Sequence, residues 1–270
     1  MKRSDRKAAF NNFKSHYYAH RGLFDNNSGA PENTIPAFKR AVDDGFGVEM
    51  DVQLTKDKRV VIAHDYSLKR ICGEDKLIKD LSYLELRGYK ILNSGEAIPL
   101  FSDALQIIDG KVPVIVEIKA EEDFKDTCEL TSGILSSYRG LYCVESFSPY
   151  VVGWYKKKCP DVIRGQLSDD YLFFNYLKSK FKNWALTNMI YNAAYKPDFI
   201  AYNYQFKDKK CLSFWKKILK CGTAAWTIKS QEELDAASEM FDIIIFDSFT
   251  PIKKPGYFKQ PYFTKPLDFK

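Results

Sequence analysis

Eight short apolar runs recur along this chain, and segments with helical spacing separate most of them. No other feature restricts the fold so strongly. Strand-type runs alternating with helices call for βαβ units and a parallel sheet. The runs are His16–His20, Phe46–Leu54, Val112–Ile118, Leu141–Glu145, Val162–Gln166, Asp198–Tyr202, Thr223–Thr227 and Asp242–Phe246. From Pro113 to Ile118 only Glu117 interrupts the apolar residues, as expected of a strand buried on both faces. Helical patterns cover Thr34–Asp44, Asp103–Ile108, Phe124–Ser136, Pro149–Lys157, Lys209–Lys220 and Gln231–Glu239. Asn33 is the expected N-cap of the first and Gly45 its stop. Eight strands point to closure, hence an α/β fold of the (β/α)8 TIM-barrel class. The 270-residue length suits a fold that typically needs about 250.

Two places break the alternation. Arg59–Ala63 reads as an extra strand, and Asp65–Pro99 has no helix–strand rhythm. The second stretch is expected to be an insertion, about residues 65–99, near the barrel mouth. Asp170–Lys196 is aromatic-rich and longer than one helix needs. The tail after Pro251, with Pro255, Pro261 and Pro266, reads as irregular surface chain. Without an internal repeat or a low-complexity linker, a single domain over 1–270 is expected.

Bulk properties exclude several classes. With 45% hydrophobic residues the chain can build a sizeable core, so disorder is excluded. The net charge of +6 is spread in small clusters such as Lys156–Lys158, expected to be solvated faces. No nucleic-acid-binding motif is present. The six cysteines form no CxxC pair, against zinc-thiolate and thioredoxin chemistry, and are expected as free thiols in a reducing compartment. Met1–Lys14 lacks the apolar run of a signal peptide, and no stretch approaches a membrane span. A cytoplasmic protein is expected, although a chain trimmed of an upstream anchor would look the same. No feature speaks to oligomeric state.

Polar residues cluster where the apolar runs end. His20 and His64 close Tyr17-Tyr18-Ala19-His20 and Val60-Val61-Ile62-Ala63-His64. The C-terminal ends of barrel strands are where active sites form, although two hydrogen-bonded structural histidines are the plainer alternative. Glu49 and Asp51 stand two apart and so share one strand face. Glu117 and Lys119 repeat that spacing. A Lys119 ion pair would satisfy one carboxylate and leave two crowded, whereas a bound divalent cation would satisfy all three. All-oxygen ligation favours a hard ion, Mg²⁺ or Ca²⁺. His16, at the start of its strand, is expected to be structural. Asp65 and Glu32 either orient neighbouring groups or form turns and caps. Tyr171, Phe173, Phe174 and Tyr176 are expected in the core, the alternative being an apolar rim for a lipid-derived substrate.

The ordered set His20-Arg21-Gly22, Pro31-Glu32-Asn33-Thr34, Ala37-Phe38, Gly47-Val48-Glu49-Met50-Asp51-Val52, Thr55-Lys56-Asp57 and Val61-Ile62-Ala63-His64-Asp65 resembles the glycerophosphodiester phosphodiesterase family. The likeness continues through Ile98-Pro99, Glu117-Ile118-Lys119, Ser146-Phe147 and Trp226-Thr227, and so covers almost the whole chain. It implies a TIM barrel with a small insertion after the second strand. It also implies hydrolysis of a small-molecule glycerophosphodiester to glycerol 3-phosphate and an alcohol. By position, His20 and His64 match the family's acid/base pair and Glu49, Asp51 and Glu117 its metal ligands. Arg21 and Lys119 match residues near the phosphate, and Trp226 a pocket wall. The departures are C-terminal: Ile228 and Lys229 stand where family members often have Asn, and Ile244–Asp247 replaces a Gly-containing run ending in Thr-Asp. They touch substrate choice rather than chemistry. The same chemistry on a lysophospholipid or a glycerophosphate polymer is the near alternative. A non-catalytic phosphodiester-binding barrel is the distant one.

Overall fold

The structure, a computed structural model, describes residues 3–119 and 124–253, with side chains from Asp5 onward. Its strands are β1 (Tyr17–Ala19), β2 (Gly47–Leu54), β3 (Val60–Ile62), β4 (Val114–Ile118), β5 (Tyr142–Ser146), β6 (Arg164–Ser168), β7 (Phe199–Asn203), β8 (Gly222–Ile228) and β9 (Ile243–Phe246). The sheet order is β1-β9-β8-β7-β6-β5-β4-β2-β3, and β1 also pairs with β2. Eight strands therefore make a parallel TIM-barrel ring, and β3 lies outside it, antiparallel to β2.

Each expected strand is present, with ends moved by one or two residues. β6 starts two residues later than its apolar run because Val162 N still donates to Cys159 O in a turn (3.1 Å). The chain falls into two compact units. Among the described residues, one is Tyr18–Tyr142; the other joins those up to Tyr17 to those from Cys143 on.

In the first unit β2 is buried along nearly its whole length. Its alternate residues Glu49, Asp51 and Gln53 share one face, and Val48, Met50 and Val52 the other. The parallel register with β4 sets Asp51 beside Glu117. The helix Ile35–Asp43, between β1 and β2, has Thr34 as N-cap, not the expected Asn33. Asn33 is left-handed (φ 57°) and its side chain is committed to Asp51, so it cannot cap. The insertion holds only brief helices, Lys69–Cys72, the 3₁₀ turn Ile78–Asp80 and Tyr83–Leu86, the last with a Ser82/Glu85 capping box. These pack Leu68, Ile71, Ile78, Leu86, Ile91 and Ile98 into a small core against Val61 and Ala63.

In the second unit the N-terminal helix Arg3–Asn11, unforeseen in the sequence, covers the starts of β7 and β8. Phe10 stacks on Phe199 (5.5 Å between centroids), and Arg6 Nε donates to Asp198 Oδ1 (2.6 Å). Gly222 is required there: a Cβ would stand 2.0 Å from the Phe10 ring. Residues 170–196 form three short helices, Tyr171–Phe174, Lys180–Thr187 and Asn192–Tyr195. The expectation that Tyr171, Phe173, Phe174 and Tyr176 are core is corrected. Phe173 is 70% exposed and Phe174 and Tyr176 are also exposed, because a four-residue helix buries none of its side chains and the rings rest on one another.

His16 is buried just before β1, beside Ser15 Oγ. All six cysteines are free thiols. No helix among the described residues is long and apolar enough to cross a membrane. Pro255, Pro261 and Pro266 lie outside the described residues.

Candidate active site

The first unit brings most of the singled-out residues into one network. β2 carries Glu49 and Asp51, β4 carries Glu117, and Lys119 follows β4. One carboxylate oxygen from each of Glu49, Asp51 and Glu117 lies within 4.8 Å of the other two, and all three residues are buried. Lys119 Nζ lies 2.9 Å from Asp51 Oδ1 and 2.7 Å from Glu117 Oε1. Asn33 Nδ2 donates to Asp51 Oδ2 (2.9 Å).

His20 and Arg21 leave β1 in a tight turn. His20 Nε2 stands 3.9 Å from Glu49 Oε2. Arg21 is left-handed (φ 58°), which turns its backbone N–H to Glu49 Oε2 (3.1 Å). Its guanidinium donates to Glu32 Oε1 (2.8 Å) and lies 3.6 Å from Asp51 Oδ2. Gly22 is also left-handed (φ 81°), and a Cβ there would meet Ala37 at 2.9 Å, so the turn needs glycine.

His64 follows β3, and its Nδ1 is 2.6 Å from Asp65 Oδ1. A carboxylate accepts, so Nδ1 carries the proton and Nε2 is left for another partner. Arg70, from the insertion, completes the support. Its Nε donates to Asp65 Oδ2 (2.6 Å), while Nη1 and Nη2 donate to the two oxygens of Glu32 (2.7 and 2.8 Å). Asn26 Nδ2 also donates to Glu32 (3.1 Å). Gln53 Nε2 ties the backbone oxygens of Ala63 and Asp65 to β2. The sequence analysis did not single out Arg70, Asn33 as an Asp51 partner, or Gln53. The Arg70–Glu32 pairing spans 38 residues and follows no helical or strand period. The one available signal was a cationic residue soon after His64-Asp65.

The electrostatics describe a site too rich in carboxylates. Burial pushes Glu117 up to about 7; Lys119 opposes that rise and Asp51 adds to it. Burial alone would also raise Asp51, but Lys119, His64 and Arg21 hold it well below the usual carboxylate range. Burial lowers His64 below the ordinary imidazole value, against the pull of Asp51. Five carboxylates, Glu49, Asp51, Glu117, Glu32 and Asp65, share this network with three fixed cations, Arg21, Lys119 and Arg70, while the imidazoles of His20 and His64 stand beside Glu49 and Asp65; the carboxylates outnumber the fixed cations by two. A divalent cation among the first three carboxylates would balance it, and the donor set is all oxygen, so the residues fit such an ion.

Trp226 belongs to β8 in the other unit. Its ring meets Phe147 edge-on (centroids 5.5 Å), and its buried Nε1 has no hydrogen-bond partner among the described residues.

The Arg70 bridge has a measurable consequence. Burial alone would raise the Glu32 carboxyl, but Arg70 and then Arg21 bring it from 4.5 down to about 2. A carboxyl depressed in the fold contributes stability above its unfolded pKa, and that contribution is lost as pH falls through the folded value. The melting temperature is therefore expected to fall between about pH 4.5 and pH 2. Arg70→Met should lose on the order of 2 kcal/mol at neutral pH, and the gap from wild type should close toward pH 2. Parallel melting curves with a constant gap across that window would refute the assignment.

Residues 20–236 match the glycerophosphoryl diester phosphodiesterase family, and the chain belongs to it. A glycerophosphodiester phosphodiesterase of Caldanaerobacter subterraneus subsp. tengcongensis is 36% identical over 124 residues, 43% of this chain and 45% of that protein. Human lysophospholipase D GDPD1 is 38% identical over 109 residues, 39% of this chain and 32% of that protein. The matched segments thus span less than half the length of these curated relatives. Among solved structures, an Oleispira antarctica phosphodiesterase in complex with the product sn-glycerol-3-phosphate superposes with a TM-score of 0.70 at 23% identity, covering 86% of this chain and 93% of that one. A glycerophosphodiester phosphodiesterase from Thermotoga maritima gives 0.66 at 23%, covering 86% and 95%. At such identities the likeness establishes the TIM-barrel fold.

Proposed function

We propose that this chain, acting as one domain over 1–270, is a metal-dependent phosphodiesterase that hydrolyses glycerophosphodiesters to glycerol 3-phosphate and an alcohol. The observation that carries the proposal is the convergence of Glu49, Asp51 and Glu117 within 4.8 Å, beside His20 and Arg21. Membership of the family supports the reaction class. The complex of the Oleispira antarctica phosphodiesterase with sn-glycerol-3-phosphate supports the product.

The three carboxylates would hold Mg²⁺ or Ca²⁺, which as a Lewis acid offsets the charge of the phosphodiester. Arg21 and Lys119 bring fixed positive charge to the same place, where charge develops in the transition state. His64, held through Nδ1 by Asp65, offers Nε2 for a proton, and His20 is the second proton carrier. The two divide the work of general base toward the nucleophile and general acid toward the leaving oxygen. Trp226 is the pocket-wall residue that the family resemblance implies, and its buried indole N–H, without a partner among the described residues, suits a ligand oxygen. A cytoplasmic setting is part of this proposal; no helix among the described residues is long and apolar enough to span a membrane.

Release of glycerol 3-phosphate from a panel of glycerophosphodiesters, with and without EDTA, tests the reaction. A small head group such as choline or ethanolamine is the expected leaving alcohol. The second reading is the same chemistry on a lysophospholipid, favoured by the likeness to lysophospholipase D GDPD1. In direct competition below micelle formation, glycerophosphocholine or glycerophosphoethanolamine is expected to be cut in preference to a lysophospholipid. The reverse preference would move the substrate assignment to the lipid and leave the metal and histidine roles in place.

A further inference from the structure

The segment 171–184 sets bulky apolar side chains in solvent. Phe173 is 70% exposed, Phe181 69%, Tyr176 56%, and Leu172 and Trp184 46% each. A scattered exposed ring is ordinary, but a contiguous set on one segment marks an interaction surface. These rings form a platform. Phe173 meets Phe174 and Phe206 (centroids 5.0 and 5.4 Å), Phe174 stacks on Tyr176 (5.1 Å), and Phe181 stacks on Trp184 (5.9 Å). Buried Asn183 fixes its shape: Nδ2 donates to Asn175 Oδ1 and Leu177 O, and Oδ1 accepts from Leu177 N. The platform is therefore built into the fold rather than left over at a fraying end.

Charge selects the partner. Exposed Lys178, Lys180 and Lys182 interleave with the rings, and no carboxylate occurs from 171 to 184. The nearest acids in sequence, Asp169 and Asp170, are buried, and Asp170 is ion-paired with Lys209. Protein–protein interfaces favour aromatic residues but are depleted of lysine. A bilayer interface takes both, with rings at headgroup depth and lysines reaching anionic lipid.

We propose that the face formed by residues 171–184 docks on an anionic membrane surface, Phe173, Phe181 and Trp184 entering the headgroup layer and the three lysines pairing with lipid phosphates. This peripheral contact would operate whatever substrate the carboxylate site takes.

The test uses the full chain and vesicles of phosphatidylcholine, alone or with about one third phosphatidylglycerol. Co-sedimentation is expected with the anionic vesicles and weakly with the neutral ones. Replacing Lys178, Lys180 and Lys182 by Gln should lower partitioning on the order of a hundredfold, about fivefold for each charge. The double variant Phe173→Ser, Phe181→Ser should abolish it while the thermal melt is unchanged, since both side chains are exposed. Brominated lipid should quench wild-type emission and leave Trp184→Phe unquenched. Failure to bind anionic vesicles, or binding insensitive to these changes, would overturn the proposal. So would a self-associating species in sedimentation velocity that the Phe173/Phe181 variant dissolves, since the face would then belong to a second copy of the chain.

Discussion

His20→Ala and His64→Ala are each expected to lower turnover about a hundredfold or more, the usual contribution of a positioned acid or base. The two sites should behave alike in turnover and differ in support. His20 stands next to Glu49 at the end of β1, whereas His64 is oriented by Asp65, which Arg70 clamps. Asp65→Asn should therefore reproduce part of the His64 loss, because an amide no longer specifies which imidazole nitrogen carries the proton. KM should move far less than kcat in all three variants, since Arg21 and Lys119, the proposed phosphate contacts, are unchanged. The check is steady-state kinetics on a glycerophosphodiester, with far-UV circular dichroism as the fold control. Near-wild-type turnover in either alanine variant would remove that histidine from the chemistry.

The second large effect concerns the carboxylates. Glu49→Gln is expected to abolish metal-dependent turnover while leaving the fold intact. Gln still offers an oxygen to the Arg21 backbone N–H, so the turn after β1 keeps its hydrogen bond. Removing one of three neighbouring buried carboxylate charges should not destabilise the metal-free protein. The metal response should vanish instead. In the wild type, Mg²⁺ or Ca²⁺ at about a hundredfold excess over Kd should add about 2.7 kcal/mol of stability, read as a rise in melting temperature that EDTA reverses. Glu49→Gln should show neither the rise nor the reversal. Full wild-type activity in chelator, or a melting temperature indifferent to both ions, would overturn the metal assignment.

The barrel strands were legible because a parallel strand covered on both faces writes itself as a continuous apolar run; Val114–Ile118 and Ile243–Phe246 are examples. Glu49, Asp51 and Glu117 stood out for the converse reason, as carboxylates inside such runs. What escaped was whatever depends on long-range pairing or on very short elements. The helix Arg3–Asn11 exists through Phe10 on Phe199 and Arg6 on Asp198, partners nearly two hundred residues away. The four-residue helices of the insertion are too short to show a period. Asn33 looked like a cap because caps and carboxylate partners draw on the same polar side chains, and only the fold shows which demand prevails. The rings of 171–176 carry the composition of a core, but no side chain of the helix Tyr171–Phe174 is buried among the described residues.

The insertion between β3 and β4 has a further consequence. It fills its own interior with Leu68, Ile71, Ile78, Leu86, Ile91 and Ile98, and Arg70 of its first helix reaches Glu32 and Asp65. For an engineer it is a cassette clasped by Arg70 and tied by hydrogen bonds at Leu81 and Tyr83 to Lys56 and Asp57. Exposed positions of its outer turns, such as Glu74 and Asp75, can be resurfaced to reshape the chain's exterior, provided that the helix Lys69–Cys72 and the buried apolar residues beneath it are carried over unchanged.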